Sequence, residues 1–95
     1  MIHIGILLFD RVEELDFVGP YEVLAKAQDA RPDDIEVRTY GLDSLEIACN
    51  KGLKVTAHAL CAEAPQLDVL LVPGGNGSRA AAKDPRVIDL SLIHI

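Results

Sequence analysis

Two stretches of this 95-residue chain carry residue types that could do chemistry. One is Val72-Pro73-Gly74-Gly75-Asn76-Gly77-Ser78-Arg79, where an apolar run passes directly into proline and glycines. The other is the acidic cluster Glu13, Glu14 and Asp16. Glycines after a buried strand have three uses: a turn needing positive φ, a phosphate cradle, or an oxyanion hole whose backbone N–H groups face developing negative charge. Gly75-Asn76-Gly77-Ser78-Arg79-Ala80 fits the dinucleotide pattern G-x-G-x-x-A, but weakly. That pattern usually follows the opening strand, and the acidic ribose partner due about 20 residues later is missing from the chain's end. In the oxyanion reading, Gly74 and Gly75 supply the donors.

Glu13 and Glu14 read as carboxylates favoured by the positive end of a helix dipole. Asp16 is different, because Leu15, Phe17 and Val18 around it are apolar. A carboxyl group buried among them would favour its protonated form, as hydrogen-bond donor or proton carrier. Cys49 and Cys61 sit in no CxxC or Cys/His spacing, which implies neither a disulfide framework nor a zinc site. Both read as small buried or loop residues. His3, His58 and His94 show no metal spacing and read as peripheral. No metal and no cofactor is expected.

These groups need elements to position them. Ile2–Phe9 is nearly continuous in apolar residues, the mark of a strand covered on both faces. A helix is predicted from Leu15–Asp16 to just before Arg31, with Val18, Tyr21, Leu24 and Ala25 as its apolar face. Pro20 belongs in its first turn or so, because deeper placement removes a hydrogen bond and clashes. Ile35–Leu42 is a second strand. The run 45–60 reads as a hairpin turning at Asn50-Lys51-Gly52, and Gln66–Val72 as another buried strand. Asn76 or Ser78 caps a short helix through Lys83, and Asp84-Pro85 opens a further one.

The sum is an α/β domain with a mostly parallel sheet, helices on both faces and a β-hairpin. If the first and last strands are parallel neighbours, both chemical stretches line one crevice at their carboxyl ends. With so few long strands the domain reads as incomplete, and residues 90–95 as a non-native tail or a short strand. A formal net charge of −6 with no basic stripe argues against nucleic-acid or anionic-membrane partners. With no basic leader before the short first apolar run, the expected address is cytoplasmic.

Ile4–Leu24, "IGILLFDRVEELDFVGPYEVL", followed by "LDVLLVPGGNGSR", resembles the ThiJ/PfpI superfamily, relatives of class I glutamine amidotransferases, and within it the isonitrile hydratase-like branch. The likeness runs to about Asp89. It implies a flavodoxin-like fold, usually dimeric, and a small-molecule substrate. It also implies a nucleophilic cysteine on a sharp turn, which would lie beyond residue 95. Asp16 matches the acid that couples to that cysteine, and Gly74 and Gly75 match the oxyanion site. Gly77 and Arg79 are assigned to substrate binding, and Glu22 to a structural role. Arg11 stands where the family commonly has glycine. The alternative within the same resemblance is the ligand-binding sensor domain of an AraC-type transcription regulator. Taken alone, the chain is expected to lack activity and to be poorly soluble or molten.

Overall fold

The computed structural model describes residues 1–74. Along them run β1 (Ile2–Leu8), α1 (Glu14–Ala30), β2 (Ile35–Gly41), β3 (Glu46–Ala48), β4 (Lys54–Thr56), β5 (Ala59–Leu60), a 3-10 turn (Cys61–Glu63) and β6 (Val69–Leu71). β5, β2, β1 and β6 form one sheet in that order, with every pairing parallel. β1 is central, in unbroken register with β2 from Ile2↔Ile35 to Leu8↔Gly41. Its continuous apolar sequence is explained by this position. Ile6, Leu7 and Leu8 are buried, although alternate residues point to opposite faces. Each such fully buried side chain stabilises the fold by roughly 1.5–3 kcal/mol.

α1 covers one face of the sheet through Phe17, which is buried, with Tyr21 and Leu24 packed against the same core. The helical stripe therefore runs 17–21–24, and Val18, expected on it, is 44% exposed. Pro20 lies in the second turn of α1, which begins at Glu14. It leaves the Asp16 carbonyl without its intrahelical donor, a cost the helix bears so close to its start. The helices predicted after Ser78 and Pro85, and the tail 90–95, lie outside the described residues.

The hairpin is present, with Ile47 opposite Val55 and Asn50-Lys51-Gly52 at the turn. Gly52 adopts φ +97°, and its N–H reaches the Cys49 carbonyl at 3.0 Å. Only glycine enters that region of φ without strain. β3 and β4 make a sheet of their own. The second arm stops at Thr56, not Leu60: Ala57 is buried, and Ala59–Leu60 cross over to pair with Tyr40–Gly41. His58 secures this crossing. Its Nδ1 accepts the Thr39 N–H at 3.0 Å, and its own N–H donates to Thr39 Oγ1 at 3.0 Å.

The last strand is shorter than Gln66–Val72. Asp68 interrupts its start, accepting the His3 N–H on Oδ2 at 2.8 Å and donating its own N–H to the His3 carbonyl at 2.9 Å. A side chain thus takes over part of the ladder's hydrogen bonding, and β6 is still pinned against β1.

Candidate functional site

The chain leaves β1 toward β2 on one side, and β6 joins β1 from the other. Strand order reverses between β1 and β6, and the crevice at their carboxyl ends is where ligands bind in open α/β sheets. Two segments border it: Phe9–Glu13 after β1, and Val72–Gly74 after β6. Phe9 and Val12 are buried and anchor the first. The Arg11 N–H donates to the Ala48 carbonyl at 2.8 Å, and the Ala48 N–H donates to Asp10 Oδ1 at 3.3 Å. Arg11 itself takes φ +70°, a left-handed conformation that explains why a glycine suits this position.

The two segments join directly. The Glu13 N–H donates to the Gly74 carbonyl at 2.9 Å, and the Asp16 N–H closes the first turn of α1 on the Glu13 carbonyl at 3.1 Å. The Asp16 carboxylate lies against Gly74 so closely that a Cβ at position 74 would sit 2.6 Å from Asp16 Oδ2. Gly74 is not among the positive-φ residues, which are Arg11 and Gly52 among those described. The glycine is required here for close approach, not for turn conformation. The convergence expected from strand order is therefore observed for Asp16 and Gly74. Gly75, Gly77 and Arg79 lie outside the described residues.

Asp16 is not buried. It is exposed, as are Leu15 at 75% and Val18 at 44%, while Phe17 alone of that run is buried. Consecutive helical residues point about 100° apart, so one buried side chain sends its sequence neighbours outward. The burial expected of Asp16 is not found, and what distinguishes the residue is its contact with Gly74. Glu22 is exposed on α1.

Glu13 and Glu14 do more than face a helix dipole. Glu13 occupies the N-cap position of α1, yet its side chain makes no capping bond. Its carboxylate reaches the hairpin instead, accepting from Lys51 Nζ at 2.9 and 3.0 Å and from Asn50 Nδ2 at 2.9 Å. Glu14 accepts the Lys51 N–H at 2.9 Å and the Leu53 N–H at 3.3 Å. The hydrogen bonds from Lys51 and then Asn50 hold the Glu13 carboxyl below its ordinary range, and the bond to Glu13 holds the Lys51 ammonium above its own. Sequence reasoning missed this arrangement. Its one signal was an acidic pair and a lysine at a turn far along the chain, with nothing local to join them.

Neither cysteine is an activated nucleophile. Cys49 and Cys61 are both buried. Burial, followed by the nearby Glu14 charge, pushes the Cys49 thiol up, opposite to what activates a thiolate. His3 Nδ1 lies 3.3 Å from Glu36 Oε1, and the His58 ring leans on Tyr21 with centroids 6.1 Å apart. His94 is outside the described residues. Among the described residues no His, Cys, Asp and Glu group could hold a metal ion, and no helix is long and apolar enough to cross a membrane.

Known proteins match this architecture. The chain is 34% identical over 88 residues to an isonitrile hydratase from Pseudomonas putida, covering 93% of the chain and 36% of that enzyme. DJ-1 from Schizosaccharomyces pombe superposes with a TM-score of 0.78 at 16% identity, over 94% of this chain and 50% of that one. An AraC family transcriptional regulator from Pseudomonas putida superposes with a TM-score of 0.66 at 26% identity, over 79% of this chain and 48% of that one. The chain thus spans about a third to a half of the length of these relatives. The DJ-1/PfpI family matches residues 3–91. With the parallel sheet, the reversal of strand order at β1 and the opening motif all in agreement, the chain belongs to the DJ-1/PfpI family.

Proposed function

We propose that this chain supplies one wall of an isonitrile hydratase-like active site. The observation that carries the reading is the Asp16 carboxylate seated on Gly74 where β1 and β6 end. Hydration converts R–N≡C and water into R–NH–CHO. A nucleophile adds to the terminal carbon, that carbon and the nitrogen each gain a proton, and oxygen from water ends on the carbon. Asp16 is the group that carries these protons. Its exposure suits the task, since a carrier must be recharged from solvent after each cycle. Gly74 and Gly75 border the electrophile, with backbone N–H groups for the charge that develops on addition, and Gly77 and Arg79 position the substrate. By family resemblance the nucleophile is a cysteine outside this sequence. The same reading includes a small-molecule substrate, no bound cofactor, no nucleic-acid or membrane partner, a homodimeric full-length protein and a cytoplasmic address.

The test is formamide production from an isonitrile by the full-length protein. Asp16→Asn is expected to lower kcat by about 10²–10⁴-fold, the usual worth of a positioned acid–base group. A loss below about tenfold would remove Asp16 from the chemistry. The likeness to the AraC regulator supports a second reading, in which the crevice only binds. In that case the full-length protein retains a small ligand without turnover, and Asp16→Asn alters affinity alone.

A further inference from the structure

We propose that the β3–β4 hairpin clamps the candidate site, and that Glu13 is the positioning residue through which Asn50 and Lys51 fix the approach of Asp16 to Gly74. Glu13 is bonded in three directions. Its carboxylate holds the Lys51 ammonium and the Asn50 amide, its N–H holds the Gly74 carbonyl, and its carbonyl holds the Asp16 N–H. A shift of the hairpin tip is therefore passed to both halves of the rim through one residue. Glu14 reinforces the seat by accepting two backbone N–H groups of the hairpin, from Lys51 and Leu53. The Asn50 N–H adds a bond to the Val12 carbonyl at 2.9 Å.

The hairpin shares no ladder with the main sheet. Its polar connections converge instead on residues 10–14, the segment that carries the rim: the Arg11 N–H donates to the Ala48 carbonyl, and Asp10 accepts the Ala48 N–H. Lys51 and Glu13 are solvent-accessible, and such pairs contribute little to global stability. Loss of the clamp should accordingly open the rim locally and leave the sheet folded.

The relevance of the clamp to turnover rests on Asp16 and Gly74 being the reactive rim, but its test needs no turnover and can fail while the Asp16→Asn assay succeeds. In the isotope-labelled full-length protein, two signals report the bond: amide exchange at Glu13, and the scalar coupling across it between the Glu13 nitrogen and the Gly74 carbonyl carbon. Lys51→Met and Glu13→Gln should each abolish the coupling and speed Glu13 exchange by about tenfold or more, with the Leu7 amide in β1 unchanged. Lys51→Arg, which keeps a donor cation, should restore both signals. The proposal is overturned by an intact coupling in Lys51→Met, by Glu13 and Leu7 losing protection in step, by failure of the arginine rescue, or by absence of the coupling in the wild-type chain.

Discussion

Replacing Gly74 with alanine separates the site from the fold. The new Cβ would sit 2.6 Å from Asp16 Oδ2, so the carboxylate must retreat by about 0.8 Å to reach an ordinary contact of 3.4 Å. Asp16 is an exposed side chain, and pushing it off its preferred rotamer costs roughly 0.5–1.5 kcal/mol. Alanine also restricts the unfolded chain, which returns about 0.4–1 kcal/mol where its conformation is allowed, and position 74 does not require positive φ. The two effects nearly cancel, and denaturation should move by less than about 1 kcal/mol. The proposed reaction is far less forgiving, since misplacing a reacting group by about 1 Å costs on the order of 10²-fold in rate. The assay is a urea midpoint on one side and isonitrile turnover by the full-length protein on the other. Adding Asp16→Ala should make Gly74→Ala silent in turnover, because the displaced group is gone. The reasoning fails if Gly74→Ala turns over like the wild type. It also fails if the substitution costs several kcal/mol of stability, which would give the glycine a backbone role.

Two other outcomes follow from the same region. Arg11→Gly relieves a left-handed residue at φ +70°. The strain is worth roughly 1–2 kcal/mol, less the added freedom of glycine in the unfolded chain, so the urea midpoint should rise by the equivalent of about 1 kcal/mol. Because the Glu13–Lys51 pair is solvent-accessible, it should give global stability only a shallow plateau in pH. The Glu13 carboxyl is lowered, so its contribution is present above the unfolded glutamate value of about 4.3 and fades as pH falls through the folded one. The Lys51 ammonium is raised, so its contribution is complete below about 10.4 and fades as pH climbs through the folded value. Glu13→Gln should flatten both shoulders of a plot of denaturation midpoint against pH, and unchanged shoulders would count against the pair.

Elements defined by short-range pattern were legible in the residues. The unbroken apolar run of β1 announced a strand buried on both faces, and Asn50-Lys51-Gly52 announced the hairpin turn. The parallel pairing of β1 with β6 was posed as a condition and is met. What was not legible depended on direction or distance. Asp16 was expected to be buried because its sequence neighbours are apolar, but adjacency along a helix is not adjacency on its surface. Pro20 falls at the late edge of the placement its cost allows, because α1 starts at Glu14, slightly ahead of the expected Leu15–Asp16. The crossing from β4 to β5 is driven by the buried Ala57 and by the His58–Thr39 bonds, neither of which leaves a periodic trace. The clamp joins groups in separate halves of the sequence and has no local signature at all.

In the proposed reaction, the exposure of Asp16 sets the physical role such an acid can have. A buried carboxyl acts by holding a proton that solvent cannot easily reach, because desolvation disfavours its charged form. An exposed one has no such reserve, so its value to a reaction must come from where it stands and how firmly it is held. In this chain firmness comes from outside the helix. The Asp16 turn is closed on Glu13, Glu13 is fastened to Gly74 by its backbone and to Lys51 by its side chain, and Lys51 sits on a turn shaped by the left-handed Gly52. Position here is a property of three separated segments acting together. A site of this kind should lose function through distant hairpin substitutions before it loses stability, the reverse of a buried acid, whose core neighbours set both at once.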